Sequence, residues 1–367
     1  GGTGKDTMYG GNGADTFVLR AGDGSSTLAS ADVIADFQNG TDVIGMDGLS
    51  FDDLTISQGT GSNASHTIIQ YIDTSEYLAI IQNTTVGNIT ALDFTSTSTD
   101  AQTLTGTSGN NTLIGGAGVD TVNGGAGSDT VYSWGGNDTI NVASKSGAYT
   151  DTINGGAGTD TLNINYSGIT SLTDFTISKS GDITTLTDSS GGTINFESIE
   201  NLTVNDLAYT SASSATINSG DGGISNAYWS ASEKLLIATN SSVWYAQNIN
   251  SAYSGLSASD DFEYVGSSGG DTINLNINRL TTHSGNLTIN TGGGNDSMLS
   301  VKLKNADSIS LGSGNDSISV MVSGTYGTPS LSSMNMTLLD GGAGTDTISF
   351  EESTVASGTT LSLTTGG

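Results

Sequence analysis

Cysteine is absent from the 367 residues, proline occurs once, and 8 lysines and arginines stand against 37 aspartates and glutamates. Each shortage removes a class of function. Without cysteine there are no disulfides, no thiolate metal clusters and no cysteine nucleophile. A formal charge of −29 leaves no basic footprint for nucleic acid or anionic lipid. The two histidines, His66 and His283, stand far apart and in no zinc motif, which leaves little for zinc or triad chemistry. No stretch approaches the ~18 apolar residues that read as a membrane span. Charged side chains of both signs make up 12% of the chain, about half the ~25% of an ordinary soluble domain.

What the chain does have is glycine, 53 residues of it, and aspartate, which supplies 30 of the 37 acidic groups. Both fall in a repeat. Residues 106–141 divide into nines: GTSGNNTLI, GGAGVDTVN, GGAGSDTVY and SWGGNDTIN. After a four-residue insertion, Val142 to Lys145, the frame resumes as SGAYTDTIN and GGAGTDTLN and ends at Asn163. The chain opens with GGTGKDTMY and GGNGADTFV, and single units return at 266, 291, 311 and 341.

Each unit reads G-G-x-G-x-D-x-U-x with U apolar, and this pattern resembles the calcium-binding nonapeptide of the RTX (repeats-in-toxin) family. The residue types suit the ion. Calcium takes six to eight oxygens at ~2.3–2.6 Å, mixing carboxylates with backbone carbonyls. Glycine lets carbonyls converge without Cβ obstruction, and the sixth-position Asp adds a carboxylate. The last three residues of each unit read as a short strand with the eighth side chain pointing inward. The resemblance implies an all-β fold, a calcium-binding parallel β-roll or β-helix (a solenoid) with capping β segments. It also implies two nonapeptides per coil, each turn sharing Ca²⁺ with the turn two repeats along on the same side.

Carried onto this sequence, the resemblance offers Asp120, Asp129, Asp138, Asp151 and Asp160 as metal ligands in the tandem block. Their glycines are Gly115, Gly116, Gly118, Gly124, Gly125, Gly127, Gly155, Gly156 and Gly158. Outside it stand Asp6, Asp15, Asp271, Asp296, Asp316 and Asp346, the last with Gly341, Gly342 and Gly344. Three turns depart from the pattern. Asn111 replaces the aspartate of the first unit, Ser133-Trp134 replaces a glycine pair, and Ser146-Gly147-Ala148-Tyr149 distorts the fifth unit.

Five segments follow from the spacing. Residues 1–19 read as the end of an RTX roll, and the chain is expected to be a piece of something longer. Asp6 and Asp15 each need a stacked partner turn, and only Ala21-Gly22-Asp23-Gly24 offers half of one downstream. Residues 20–104 carry alternating strands and resemble the segment that closes the open end of an RTX roll, where a cap covers unpaired edges. Their acidic residues, Asp32, Asp36, Asp42, Asp47, Asp52 and Asp53, are read as a solvated face in preference to further calcium ligands. Residues 105–163 are the tandem roll, and 164–262 a β-rich segment without calcium repeats. In 263–367 the repeat aspartates Asp271, Asp296, Asp316 and Asp346 lie 20 to 30 residues apart, which suggests a wider solenoid with one calcium turn per rung, linked along a single side.

Other motifs carry less. Gly266-Ser267-Ser268-Gly269-Gly270 matches a nucleophile elbow, but it lies inside a calcium repeat and follows no α/β pattern. Adjacent carboxylates such as Asp52/Asp53, Asp260/Asp261 and Glu351/Glu352 point to opposite faces of a strand and do not build one acid/base site. The sequence therefore reads as a non-enzyme. Tyr228, Trp229, Trp244, Tyr245 and Tyr253 suggest either a satellite core, which is favoured, or a platform for a cell-surface glycan. The favoured function is a calcium-rigidified building block of a bacterial surface layer, fibril or adhesin, secreted and extracellular or held at the cell surface. It would self-associate through solenoid ends or sides. The alternatives are a secretion and folding module of a larger secreted enzyme or toxin, and a carbohydrate-binding module.

Overall fold

A computed structural model describes residues 2–211, 227–240, 243–245, 256–257, 259–274, 285–301, 307–321 and 338–351. His283, Tyr253 and parts of the strands that the alternating patterns at 272–278, 300–304 and 336–339 suggest lie outside the described residues. Among the described residues there are short strands and single 3-10 turns and no α-helix. The chain divides into two units, residues 1–167 with 190–199, and residues 168–189 with 200–367.

In the first unit, two sheets face each other across an apolar core. One joins Thr7–Met8, Asp32–Ile34 and Tyr77–Ile81 in parallel, and Thr67–Tyr71 and Leu54–Gln58 extend it antiparallel. The other stacks Thr16–Arg20, Val43–Asp47 and Phe94–Ser96 in parallel. Ile34, Ile44, Ile69, Ile81 and Phe94 are fully buried between them, and the same core takes in Ile114, Tyr132 and Trp134 of the tandem block. The segment 20–104 thus contributes strands to both of these sheets.

The tandem block alternates between two parallel sheets, as nine residues per half-coil require. Thr103–Thr105, Thr121–Asn123, Thr139–Ala143 and Thr161–Asn165 form one. Thr112–Ile114, Thr130–Tyr132, Thr150–Asn154 and Thr193–Glu197 form the other. The register aligns Val122, Ile140 and Leu162 on one face and Val131, Ile153 and Phe196 on the other. All six are buried. These are the apolar eighth positions, with Phe196 supplied from outside the repeats. Threonine fills most positions preceding them, where a β-branched side chain suits a pleated, half-exposed surface.

In the second unit, Asn201–Val204, Leu207–Ser211, Ala227–Ser230 and Leu235–Ala238 meander antiparallel. Parallel pairing then takes over through Phe262–Val265, Leu287–Asn290, Ser308–Ser310 and Leu338–Asp340. A second parallel sheet stacks Val243–Tyr245, Thr272–Asn274, Ser297–Val301, Ser317–Met321 and Thr347–Glu351. Their shared core includes Leu236, Tyr264, Ile273, Leu287, Met298 and Ile309. Trp229 lies in it, stacked on Phe262 with ring centroids 5.9 Å apart. Tyr228 is buried as well. These two rings are therefore core and do not form an exposed platform; the side chains of Trp244 and Tyr245 lie outside the described residues.

Candidate metal centre

The nonapeptides place their aspartates at the start of a strand, immediately before it in most units and as its second residue at Asp151, so the carboxylates line the seams where turns stack. One side of the tandem roll carries Asp120, Asp138 and Asp160. Asp120 Oδ1 accepts the Gln102 N–H at 2.8 Å, Asp138 Oδ1 the Asp120 N–H at 2.7 Å, and Asp160 Oδ1 the Asp138 N–H at 2.8 Å. The opposite side carries Asn111, Asp129 and Asp151, joined the same way at 3.0 and 2.9 Å. In the second unit Asp271, Asp296, Asp316 and Asp346 form a third ladder, at 2.7, 2.8 and 3.1 Å. Consecutive turns stack there along a single side.

The glycines divide the work. A Cβ on Gly115, Gly124, Gly155 or Gly341 would press on Oδ2 of its own turn's aspartate. A Cβ on Gly116, Gly118, Gly125 or Gly156 would strike a carbonyl oxygen of the turn below, and Gly127 and Gly342 are equally confined. Gly158 and Gly314 adopt φ of +148° and +141°, and a Cβ on either would overlap the carbonyl oxygen of Gly136 or Gly294. Only glycine combines that backbone with that approach. The fourth-position carbonyls of Gly118, Gly136, Gly294 and Gly314 all point at the next turn of their stacks. Where Trp134 replaces a glycine, it takes φ of +70°, a strained conformation for a bulky side chain.

Oδ1 is used by the ladder, and the use of Oδ2 varies: that of Asp120 accepts the Gly116 N–H at 3.1 Å and that of Asp271 the Ser267 N–H at 2.9 Å. The Oδ2 atoms of Asp138, Asp296 and Asp316 are buried without a hydrogen-bond partner, and so is that of Asp15. Burial pushes the Asp138 carboxyl up to about 6, with the flanking Asp160 and Asp120 charges adding to it. Burial likewise pushes Asp296 up to about 6 and raises Asp316. A buried carboxylate oxygen without a proton donor or cation is costly. Among the described residues no three Asp, Glu, His or Cys side chains gather at one point. The donors at each seam are therefore stacked carboxylates and glycine carbonyls, all oxygen. That set fits a hard cation of calcium's kind.

The side carrying Asp129 and Asp151 differs. There the Lys145 ammonium donates to Asp129 Oδ2 at 2.9 Å, to both oxygens of Asp151 at 2.6 and 2.8 Å, and to the Gly127 carbonyl at 2.9 Å. The Lys145 side chain is 4% exposed, and its Nζ stands 5.2 Å from the Tyr149 ring centre. Burial raises the Asp151 carboxyl, while Lys145 and the Asp129 amide pull it back. Below this pair, Asn111 Oδ1 accepts the Thr107 N–H at 2.7 Å, and its amide donates to Asp52.

The N-terminal turns find partners that the glycine pattern does not mark. Asp32 Oδ1 accepts the Asp6 N–H at 2.8 Å and Asp42 Oδ1 the Asp15 N–H at 3.1 Å, while Asp36 accepts from Gly10 and Gly11. Asp32 and Asp42 are buried, which corrects their assignment to a solvated face and supplies Asp6 and Asp15 with the partners missing from 21–24. Asp307 plays the same part in the second unit, accepting the Leu287 N–H at 2.9 Å. All three are followed two residues on by a fully buried Ile34, Ile44 or Ile309. The D-x-U half of the motif was the available signal.

The family models agree with this geometry. "RTX calcium-binding nonapeptide repeat" matches residues 105–140 and 145–163 in four copies. The chain carries RTX calcium-binding repeats. "Peptidase M10 serralysin C terminal" matches residues 1–103, beside the RTX block. Both are non-catalytic modules typical of proteins secreted by bacterial type I secretion, which supports an extracellular location in general. Among solved structures, the extracellular lipase LipA from Serratia marcescens aligns at 16% identity and a TM-score of 0.23, covering 70% of this chain. The match spans 34% of the lipase, about a third of its length. No curated protein matches the sequence.

Proposed function

We propose that the chain is a calcium-rigidified structural segment of a secreted bacterial protein, whose carboxylate ladders become folding elements once Ca²⁺ is bound. The observation that carries this reading is the buried, unpartnered Oδ2 of Asp138, Asp296 and Asp316. Bound cation would neutralise them, so its binding free energy is folding free energy. In the RTX block Asp120, Asp138 and Asp160, with the carbonyls of Gly118 and Gly136, would hold the ion. In the second unit Asp271, Asp296, Asp316 and Asp346 would do so with Gly294 and Gly314. The turns of Asp6 and Asp15 would draw on Asp32, Asp36 and Asp42.

Extracellular calcium modules bind at ~10⁻⁴–10⁻³ M, which keeps such ladders unformed in the cytosol and forms them outside the cell. Ladders in both units favour a building block of a surface layer, fibril or adhesin, because a spacer needs stiffness along its whole length. The match of residues 1–103 to a serralysin C-terminal model favours a second reading, a folding and secretion module for an enzyme. Calcium titration followed by circular dichroism tests the common core: strand signal should rise with millimolar Ca²⁺ and fall in excess chelator. Negative-stain microscopy in calcium separates the two readings, with ordered filaments or sheets supporting the first and lasting monomers the second.

A further inference from the structure

The two sides of the tandem roll are built from the same repeat, yet they handle charge differently. On the Asp120–Asp138–Asp160 side, Asp138 Oδ2 is buried with no partner. On the Asp129–Asp151 side, the corresponding oxygens already surround a cation. Lys145 is the last residue of the four-residue insertion that interrupts the nines. The insertion lengthens the strand to Thr139–Ala143 and carries the chain to the opposite seam. There the ammonium meets two carboxylates of stacked turns and one fourth-position carbonyl, Gly127 O, at 2.6–2.9 Å. That is the same class of donor, carboxylate plus glycine carbonyl, that the other seams present.

We propose that Lys145 is a built-in cation that takes the calcium position between the Asp129 and Asp151 turns, leaving this seam of the roll metal-free. The inference rests on the reading that the remaining seams bind Ca²⁺. An ammonium and a calcium ion cannot share the position, since each needs the same oxygens and the two charges repel. The lysine is pinned by more than charge. Its stem is buried and the Tyr149 ring faces the ammonium, an arrangement that favours a cation further. The consequence is a roll with one seam partly neutralised by its own sequence, one ammonium against two carboxylates, and one that depends on the medium.

The test is the calcium stoichiometry of the full chain and of Lys145→Met, measured by native mass spectrometry and by metal analysis after gel filtration in calcium. Removing the ammonium leaves Asp129 and Asp151 facing each other without a counter-charge, so Lys145→Met should gain about one Ca²⁺ per chain. An unchanged count, with calcium bound to both proteins, would overturn the assignment of Lys145 alone. A parent chain that binds no calcium would overturn it together with the reading of the other seams. Should Lys145→Met fail to fold, nitrogen-15 NMR of the parent decides. A slowly exchanging lysine ammonium signal that persists in saturating calcium is expected, and its loss on adding calcium would show that the ion displaces the side chain.

Discussion

The Asp120 backbone N–H donates to Asp138 Oδ1 at 2.7 Å, a bond that adds to the strand pairing between one coil of the roll and the next. The same bond recurs from Asp138 to Asp160, from Asp129 to Asp151 and along Asp271, Asp296, Asp316 and Asp346. It divides each carboxylate between two tasks. Oδ1 satisfies a buried amide of the neighbouring coil; Oδ2 of Asp138, Asp296 and Asp316 is left for a cation, while Oδ2 of Asp120 and Asp271 accepts the Gly116 and Ser267 N–H of its own turn.

The division can be measured by removing the tasks in turn. Asp138→Asn keeps an oxygen for the Asp120 N–H but lacks the charge, so its calcium midpoint should rise about tenfold, or ~1.4 kcal/mol. Asp138→Ala loses the amide's partner as well, which should cost a further ~1–3 kcal/mol even in saturating calcium. Calcium titrations and urea unfolding of both variants report the two quantities. Equal behaviour of Asn and Ala would mean that the interstrand bond contributes nothing.

The fourth-position glycines set the spacing of the stack. In Gly314→Ala the new Cβ overlaps the Gly294 carbonyl at a φ of +141°, where neither atom can give without moving the backbone. Strain and overpacking together should cost about 3 kcal/mol or more. Gly87→Ala is the control, since nothing lies within 4 Å of its Cβ position and its φ is ordinary, and it should stay within ~0.5 kcal/mol of the parent. Denaturant midpoints in calcium compare the two.

How far the sequence could be read depends on what each feature requires. The nine-residue frame and the inward Val122, Val131, Ile140, Ile153 and Leu162 were legible, because a solenoid coil repeats the same demands at fixed spacing. Asp32, Asp42 and Asp307 were not, since they serve turns that are not held by glycines and only the D-x-U fragment survives. The role of Lys145 was hidden for a different reason. An insertion looks like a break in the pattern, and nothing local says that its last side chain reaches the opposite seam. Tyr228 and Trp229 were ambiguous because an aromatic pair suits a sugar and a core equally well until burial is known.

Burial assigns a measurable role to Trp229. It lies in the core of the second unit, stacked on Phe262, so Trp229→Ala should lower stability by ~3–5 kcal/mol. Urea unfolding in calcium, followed by circular dichroism, gives the value. Loss of glycan binding at unchanged stability would contradict the core assignment.

Acid should partly replace calcium. Asp138 and Asp296 are pushed up to about 6 by burial, with the Asp120 and Asp160 charges around the first and Asp271 and Asp316 around the second. An unfolded aspartate titrates near ~3.9. Between about pH 4 and pH 6 the calcium-free folded chain therefore holds protons that the unfolded chain has released. Stability falls as pH rises wherever the native state binds more protons, so these groups favour the calcium-free fold in acid and lose that contribution by neutral pH. Calcium must displace the same protons, so its apparent affinity should weaken as pH drops below about 6. Circular dichroism in excess chelator should show more strand signal at about pH 4.5 than at about pH 7.5. A chelated strand signal that instead grew steadily from acid to neutral pH would mean that the buried carboxylates are not what holds the calcium-free chain open.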